Sequence, residues 1–134
     1  MKIFLRSEKT IKDINRELAA VFPYLRLGFF RKPHKVHEGS PARDEVPACT
    51  QLIEITGILR EVVVELKGSD TVSSVEQKFQ DVIGIPVQVF RRQRGTWLET
   101  IGSDDRTLDE QNALGEEASH VPRRDYSAFE ADMP

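Results

Sequence analysis

Apolar residues recur along this chain in two stretches with the same helical spacing. In residues 10–22 and again in residues 71–83, they fall at positions i, i+3, i+7, i+10 and i+11. This spacing aligns the side chains along one face of an α-helix. The first set is Ile11, Ile14, Leu18, Val21 and Phe22, and the second is Val72, Val75, Phe79, Val82 and Ile83. Corresponding members lie 61 residues apart, so the sequence predicts two equivalent helices.

Alternating apolar and polar residues, the pattern of a β-strand, flank each predicted helix. The alternation precedes the helices at residues 2–6 and 60–66, and it follows them at residues 25–31 and 85–91. The two later strands match at an offset of 60 and both end in Phe-Arg. Thr10 and Thr71 stand where helix N-caps are expected, while Pro23 and Gly84 separate helix from strand. The sequence therefore predicts two βαβ units.

Two such units in one sheet would form a ferredoxin-like α+β sandwich, βαββαβ, with right-handed crossovers and both helices on one face. Beyond them, a short turn at residues 93–95 predicts that residues 96–101 add a strand to the preceding one. Thr107 and Glu110 have capping-box spacing and predict a short helix that ends at Gly115. The alternative plan is a β-grasp-like second half with residues 1–30 as an appendage.

The predicted organisation is a single domain over residues 1–115, which suits a chain of 134 residues. It divides into a first βαβ unit at 1–31, a long loop at 32–57, a second unit at 58–92, and a strand and helix at 96–115. Within the proline-containing loop, residues 52–56 have the composition of a short strand. Residues 116–134 are mostly polar, and we expect a disordered tail there.

Composition and charge exclude some classes of protein. Nineteen basic and 22 acidic residues give a net charge of −3, which excludes a strongly basic nucleic-acid coat protein. No run of about 18 apolar residues is present, so we expect no membrane-spanning helix. Cys49 is the only cysteine, and the first residues do not resemble a signal peptide. These features predict a cytoplasmic protein without an internal disulfide.

Arg91, Arg92, Arg94 and Trp97 form the candidate ligand-binding set. Guanidinium groups can bind phosphate through paired hydrogen bonds, and an indole offers a stacking surface for a base. Charge is also uneven along the chain, with 16 basic and 12 acidic residues before position 99. The sequence therefore identifies a candidate surface for a phosphate-bearing ligand or a nucleic acid.

His34, His37 and Glu38 are candidate metal ligands, because imidazole and carboxylate groups bind zinc or nickel. No further ligand stands at a recognisable spacing, so we expect neither a bound metal nor a cofactor. The sequence also lacks a phosphate-binding glycine loop and a Gly-x-Ser-x-Gly nucleophile motif. These absences disfavour the common classes of nucleotide-dependent and hydrolytic enzymes.

Two pairs of carboxylates, Asp104–Asp105 and Asp109–Glu110, lie around the start of the last predicted helix. Such pairs can perform acid–base chemistry when their environments separate their pKa values. They also suit the positive end of a helix dipole, which is the interpretation that we favour. No residue is therefore predicted to be catalytic.

Residues 87–92, 97–100 and 104–115 are similar to a group of short uncharacterised bacterial proteins. The group shares a tryptophan strand followed by Thr-Leu-x-x-Gln-Asn-x-x-Gly, which is found here at residues 107–115. The resemblance implies a bacterial cytoplasmic protein, but it implies no activity, substrate or catalytic residue. The group usually has an aromatic residue after the paired aspartates, where this chain has Arg106.

Together these features favour a non-enzymatic interaction or regulatory module that acts through its open sheet face or its edge strands. The expected partner is a protein, including a second copy of this chain in a homodimer, and not a membrane. The alternative is a phosphate-bearing ligand or a nucleic acid on the Arg/Trp surface. We also expect Gln111 and Asn112 to hold the last helix over the sheet near Trp97.

Overall fold

The computed structural model describes residues 1–31, 44–56, 60–100 and 105–120. Strands and helices mix along the chain, which confirms the α+β class. In chain order the elements are β1 (Lys2–Leu5), α1 (Ile11–Val21), β2 (Leu25–Phe29), α2 (Leu52–Thr56), β3 (Val62–Glu65), α3 (Val72–Ile83), β4 (Val87–Gln93), β5 (Thr96–Glu99) and α4 (Leu108–His120).

The strands form two separate antiparallel sheets. One sheet pairs β1 with β3, and the other has the order β2-β4-β5. The single sheet of the ferredoxin-like plan is therefore not confirmed. The predicted right-handed crossover requires two parallel strands in one sheet, and β1 and β2 lie in different sheets. The β-grasp alternative fails as well, since both strands of the supposed appendage pair with strands of the second half.

One hydrophobic core connects the two sheets through the long helices. Helix α1 contacts β1 and β2, and α3 contacts β3 and β4. The predicted helical stripes supply its centre, and Phe79 packs edge-to-face on Phe29 of β2 with ring centroids 6.3 Å apart. Val21 is the exception, because its side chain is half exposed at the end of α1. The stripes therefore identified the buried faces of both helices.

Side-chain caps start both long helices where the sequence predicts them. The Thr10 hydroxyl accepts a hydrogen bond from the Asp13 N–H, and the Asp13 carboxylate accepts one from the Thr10 N–H. At the second helix, the Thr71 hydroxyl accepts from the Ser74 N–H. Gly84 ends α3 with φ of 87°, a left-handed conformation that glycine adopts without strain.

Several contacts of the two halves involve residues that correspond in the repeat, at an offset of 61 up to the helices and of 60 in the strands that follow them. In both sheets, residues that the repeat makes equivalent face each other, namely Ile3 with Val64 and Gly28 with Gln88. Thr10 forms an isolated bridge with Gln51, and the equivalent Thr71 forms one with Thr107. The residues that follow these two bridges begin α2 and α4, so the two helices enter the fold in the same way.

Residues 52–56 form helix α2, so the prediction of a strand there is wrong. The Glu54 carboxylate accepts a hydrogen bond from the Gln51 N–H at 2.9 Å, as a helix-capping residue does. Backbone N–H groups of Leu52 and Ile53 bond to carbonyls of the loop after β1. Five residues are too few for periodicity to separate helix from strand, and these tertiary bonds decide in favour of the helix.

An ion pair also recurs in the two halves, with its charges exchanged. Lys9 pairs with Glu17 in the first half, and at the equivalent positions Asp70 pairs with Lys78. In each half the lysine also donates to a strand carbonyl. Lys9 Nζ bonds to the carbonyl of residue 4 at 2.5 Å, and Lys78 Nζ bonds to that of residue 65 at 2.8 Å. Positions 4 and 65 are again 61 residues apart. The two halves therefore repeat the positions that form the contact, although the residue types at those positions differ.

Helix α4 continues to His120, so the prediction that it ends at Gly115 is wrong. Gly115 is buried at the point where α4 comes close to the sheet. A Cβ at this position would lie 2.7 Å from the Cβ of Tyr24 and 3.2 Å from the carbonyl oxygen of Arg92. The glycine therefore permits close packing. The helix takes up residues 116–120 of the predicted tail, and residues 121–134 lie outside the described residues.

The predicted hairpin is confirmed, because β5 pairs antiparallel with β4. Arg94 and Gly95 form its two-residue turn with φ values of 50° and 89°, the combination of a type I′ turn. The capping box of Thr107 and Glu110 is also present, with reciprocal bonds of 3.1 and 2.9 Å. Among the helices in the described ranges, none is long and apolar enough to cross a membrane.

Candidate functional site

The four residues of the predicted ligand set divide between two sides of the three-stranded sheet. Consecutive residues of a strand point to opposite faces, so Arg91 and Arg92 are separated. Arg91 turns toward α4, where its Nη1 donates to Gln111 Oε1 at 2.9 Å. Its Nη2 donates to Gln93 Oε1 at 3.4 Å. Arg91 therefore joins the helix to the sheet and does not share a surface with Trp97.

Arg92 and Trp97 lie together on the other face, as cross-strand partners. The Arg92 guanidinium carbon lies 5.2 Å from the centre of the indole, and that of Arg26 lies 5.5 Å from it. Arg26 also lies 4.0 Å from the ring centre of Phe90 and pairs with Glu45 at 2.7 Å. We call Arg26, Phe90, Arg92 and Trp97 the arginine–aromatic face. Arg26 joins it through the pairing of β2 with β4, which the sequence did not reveal.

The guanidinium groups on this side of the sheet do not converge on one point. Arg26 stacks on two rings and is paired with a carboxylate, while Arg92 stacks on the indole. Arg94 is exposed in the hairpin turn. Cation–π contacts at exposed sites contribute about 0.5–1 kcal/mol each, so the stacking holds Trp97 in place. The arrangement presents positive charge beside an indole ring, without a closed phosphate cradle.

The amides of α4 hold this helix on the sheet, as the sequence predicts. Gln111 accepts the Arg91 hydrogen bond described above, and Asn112 Oδ1 accepts one from the Tyr24 N–H at 2.9 Å. The Gln111 contact lies on the side of the sheet opposite Trp97, because Arg91 alternates with Arg92 along β4. The predicted docking is therefore present, but next to Arg91.

The other chemical candidates give no catalytic arrangement within the described residues. His34, His37, Glu38 and Asp104 lie outside the described residues. Glu110 caps α4, and Cys49 is exposed. Where the structure is described, no group of three or more histidine, cysteine, aspartate or glutamate side chains could hold a metal ion.

A second candidate surface is the outer face of the two-stranded sheet. Ile3 and Leu5 of β1 turn into the core, as does Val64 of β3. The alternate residues point outward, and the cross-strand neighbours Phe4 and Val63 are 46% and 47% exposed. Arg6 and Glu61 are exposed directly beyond the paired residues of each strand. We call the outward residues the ladder face, which consists of Lys2, Phe4, Arg6, Glu61, Val63 and Glu65.

On the ladder face, the β1 side carries the basic side chains and the β3 side carries the acidic ones. The β1 side presents lysine, phenylalanine and arginine at alternate positions, and the β3 side presents glutamate, valine and glutamate. Lys2 lies opposite Glu65, and Phe4 lies opposite Val63. An apolar rung therefore lies between charges that are positive along one strand and negative along the other.

The two edges of this sheet are partly closed by the repeated lysines. Met1 and Leu66 exchange backbone hydrogen bonds, and in an antiparallel pair such bonded positions alternate with unbonded ones. Phe4 and Glu65 stand at unbonded positions, so their carbonyls point to the outer edges of the sheet. These are the carbonyls that Lys9 and Lys78 cover. A lysine placed on an edge opposes pairing with another strand, so the face is more accessible to a partner than the edges are.

Asp70 and Asp13 are the groups near these lysines with shifted pKa values. Partial burial acts to raise the pKa of Asp70, but hydrogen bonds from the Lys78 ammonium and the Lys67 N–H outweigh it and lower the pKa. For Asp13, hydrogen bonds from the backbone and side chain of Thr10 lower the pKa. Both shifts belong to structural contacts at helix starts, and neither indicates a proton-transfer site.

The sequence predicts an open sheet face as a contact surface, but it does not predict which residues form the ladder face. The alternating pattern of Lys2, Phe4 and Arg6 is visible along the chain, but its pairing with the acidic strand depends on the register of β1 with β3. Comparisons with protein-family models, curated proteins and solved structures find no match for this chain.

Proposed function

We propose that this protein is a non-enzymatic interaction module that binds a protein partner through the ladder face. The observation that carries the proposal is the apolar rung of Phe4 and Val63, exposed by nearly half and placed between a basic and an acidic row. Interfaces commonly combine an apolar centre with a charged rim that orients the partner.

The small size of this sheet supports the proposal. A sheet of two strands is only marginally stable by itself, and here the core covers one of its faces. A partner on the outer face would remove Phe4 and Val63 from water. The lysines that cover the edge carbonyls favour this mode of binding over strand addition.

The charges of the face specify the chemistry of the partner. Two basic and two acidic side chains leave the ladder face without net charge. A nucleic acid prefers a surface with an excess of lysine and arginine. The face instead suits a protein surface that carries an acidic row opposite β1 and a basic row opposite β3.

Cysteine labelling can test the proposal in the cells that express the protein. Val63→Cys is made in a Cys49→Ser background, and Leu98→Cys is its matched control. The native side chains at the two positions are 47% and 45% exposed. In dilute purified protein both cysteines should react with a maleimide at similar rates. In cells, or in purified protein concentrated to about 1 mM where the partner is a second copy, the cysteine at position 63 should react several-fold more slowly, and equal labelling under both conditions would refute the proposal.

A phosphate-bearing ligand on the arginine–aromatic face is the second candidate function. Its support is the stacking of two guanidinium groups, from Arg26 and Arg92, on one indole. Trp97 is the only tryptophan, so its fluorescence reports directly on this surface. Titration with pyrophosphate or a short oligonucleotide should change the emission of the native protein and not that of an Arg92→Ala/Arg94→Ala variant. A flat titration of the native protein would exclude this candidate.

A further inference from the structure

We infer that the partner of the ladder face is a second copy of this chain, packed face to face about a two-fold axis parallel to the strands. The inference rests on the proposed function and names its partner. It follows from the division of charge between β1 and β3, together with the order of the residues along each strand.

Rotation about such an axis places β1 of each copy over β3 of the other. Because the axis runs along the strands, each side chain keeps its position in that direction. Lys2 then faces the partner subunit's Glu65, Arg6 faces the partner subunit's Glu61, and Phe4 faces the partner subunit's Val63. The symmetry doubles each contact, which gives four unlike charge pairs around a centre of two phenylalanines and two valines.

The other in-plane two-fold axis, perpendicular to the strands, gives the opposite result. It would place β1 over β1 and reverse the order of residues, so that Lys2 faces the partner subunit's Arg6. Glu61 and Glu65 would face each other in the same way. Like charges in apposition disfavour that arrangement. The charges therefore select one orientation from the two symmetric ways of packing the faces with their strands aligned.

The dimensions of the face predict a weak dimer. Two strands and three alternate positions cover roughly 15 Å by 10 Å, or about 150 Å². Standard interfaces bury about 800 Å² per partner, which is far more. Aligned sheets pack about 10 Å apart, which lets the outward side chains interdigitate. Exposed charge pairs are screened by salt. We therefore expect association in the upper micromolar range that weakens as salt is added.

Charge reversal on one strand at a time tests the arrangement. The variant Lys2→Glu/Arg6→Glu has two acidic rows, and Glu61→Lys/Glu65→Lys has two basic rows. In the inferred dimer each variant would oppose like charges at all four pairs. Self-association of each should weaken about tenfold or more, as measured by sedimentation from about 10 µM to about 1 mM at low salt.

Mixing the two variants should restore association, because each acidic row would then face a basic row. This rescue does not by itself identify the axis, because an acidic face meets a basic face in either orientation. Circular dichroism establishes that each variant is folded, since reversal also places like charges on neighbouring strands of one chain. The quadruple variant, which exchanges both rows, keeps unlike charges within each chain. It should self-associate like the native protein and fail to mix with it.

The outcomes separate this inference from the proposed function. A native protein that remains monomeric across the concentration range overturns the self-association. If position 63 is nevertheless protected in cells, the partner is a different protein and the proposed function stands. Dimerisation in which the quadruple variant pairs with the native protein, as the perpendicular axis would favour, would overturn the inferred axis.

Discussion

Replacing Gly115 with alanine should destabilise the protein, although alanine is the better helix former. Gly115 lies within α4, where the helix approaches the sheet. An added Cβ would lie 2.7 Å from the Cβ of Tyr24 and 3.2 Å from the Arg92 carbonyl oxygen. Neither neighbour is the far end of a flexible side chain, so the helix or the sheet must move to admit the methyl group.

Two opposing effects determine the size of the change. Helix propensity favours alanine over glycine by about 1 kcal/mol in a helix interior. Inserting a methyl group into a closely packed contact costs about 1–3 kcal/mol. The expected net loss is about 1 kcal/mol in the free energy of unfolding, which corresponds to roughly 4 °C in Tm for a chain of this size.

Urea and thermal unfolding of Gly115→Ala measure this balance, with Ala113→Gly as the control. Ala113 lies in the same helix with its side chain exposed, so its replacement reports propensity alone and should cost about 1 kcal/mol. Both variants should then be less stable than the native protein. A higher Tm for Gly115→Ala would refute the close approach of α4 to the sheet.

Three further variants test other parts of the structure. Thr107→Ala removes the cap of α4 and should cost about 1 kcal/mol in urea unfolding. The lowered pKa of Asp70 means that its ionised form stabilises the fold above about pH 4, and that this contribution disappears as the pH falls through the folded-state pKa. Asp70→Asn should therefore lose stability near neutral pH and show a flatter acid unfolding profile. Gly28→Ala should lower Tm, because a Cβ would lie 2.7 Å from Cε1 of Phe90.

Helices α1 and α3 could be predicted from the sequence because their determinants are local. Side chains at helical spacing and a threonine before each stripe identify α1 and α3 without any knowledge of tertiary contacts. The division into two sheets could not be predicted in this way. Strand alternation shows which residues share a face, but it does not show which strands pair. The choice between one sheet and two was decided by long-range pairing.

For the candidate surfaces too, the sequence shows which residues of a strand share a face but not which strands pair. The separation of Arg91 from Arg92 follows from strand alternation alone, so the proposed cluster of three arginines was open to doubt from the sequence. The contribution of Arg26 required the register of β2 with β4. The ladder face required the register of β1 with β3, which no local pattern supplies.

The rung of Gly28 and Gln88 has a consequence for how the two halves depend on each other. These residues are equivalent in the repeat and face each other across the sheet. The glycine position is closely covered by Phe90 and Glu45, and Gln88 is buried. Two identical halves would place glycine against glycine or glutamine against glutamine. Pairing a small residue with a large one requires different residues at the two positions, so neither half can substitute for the other.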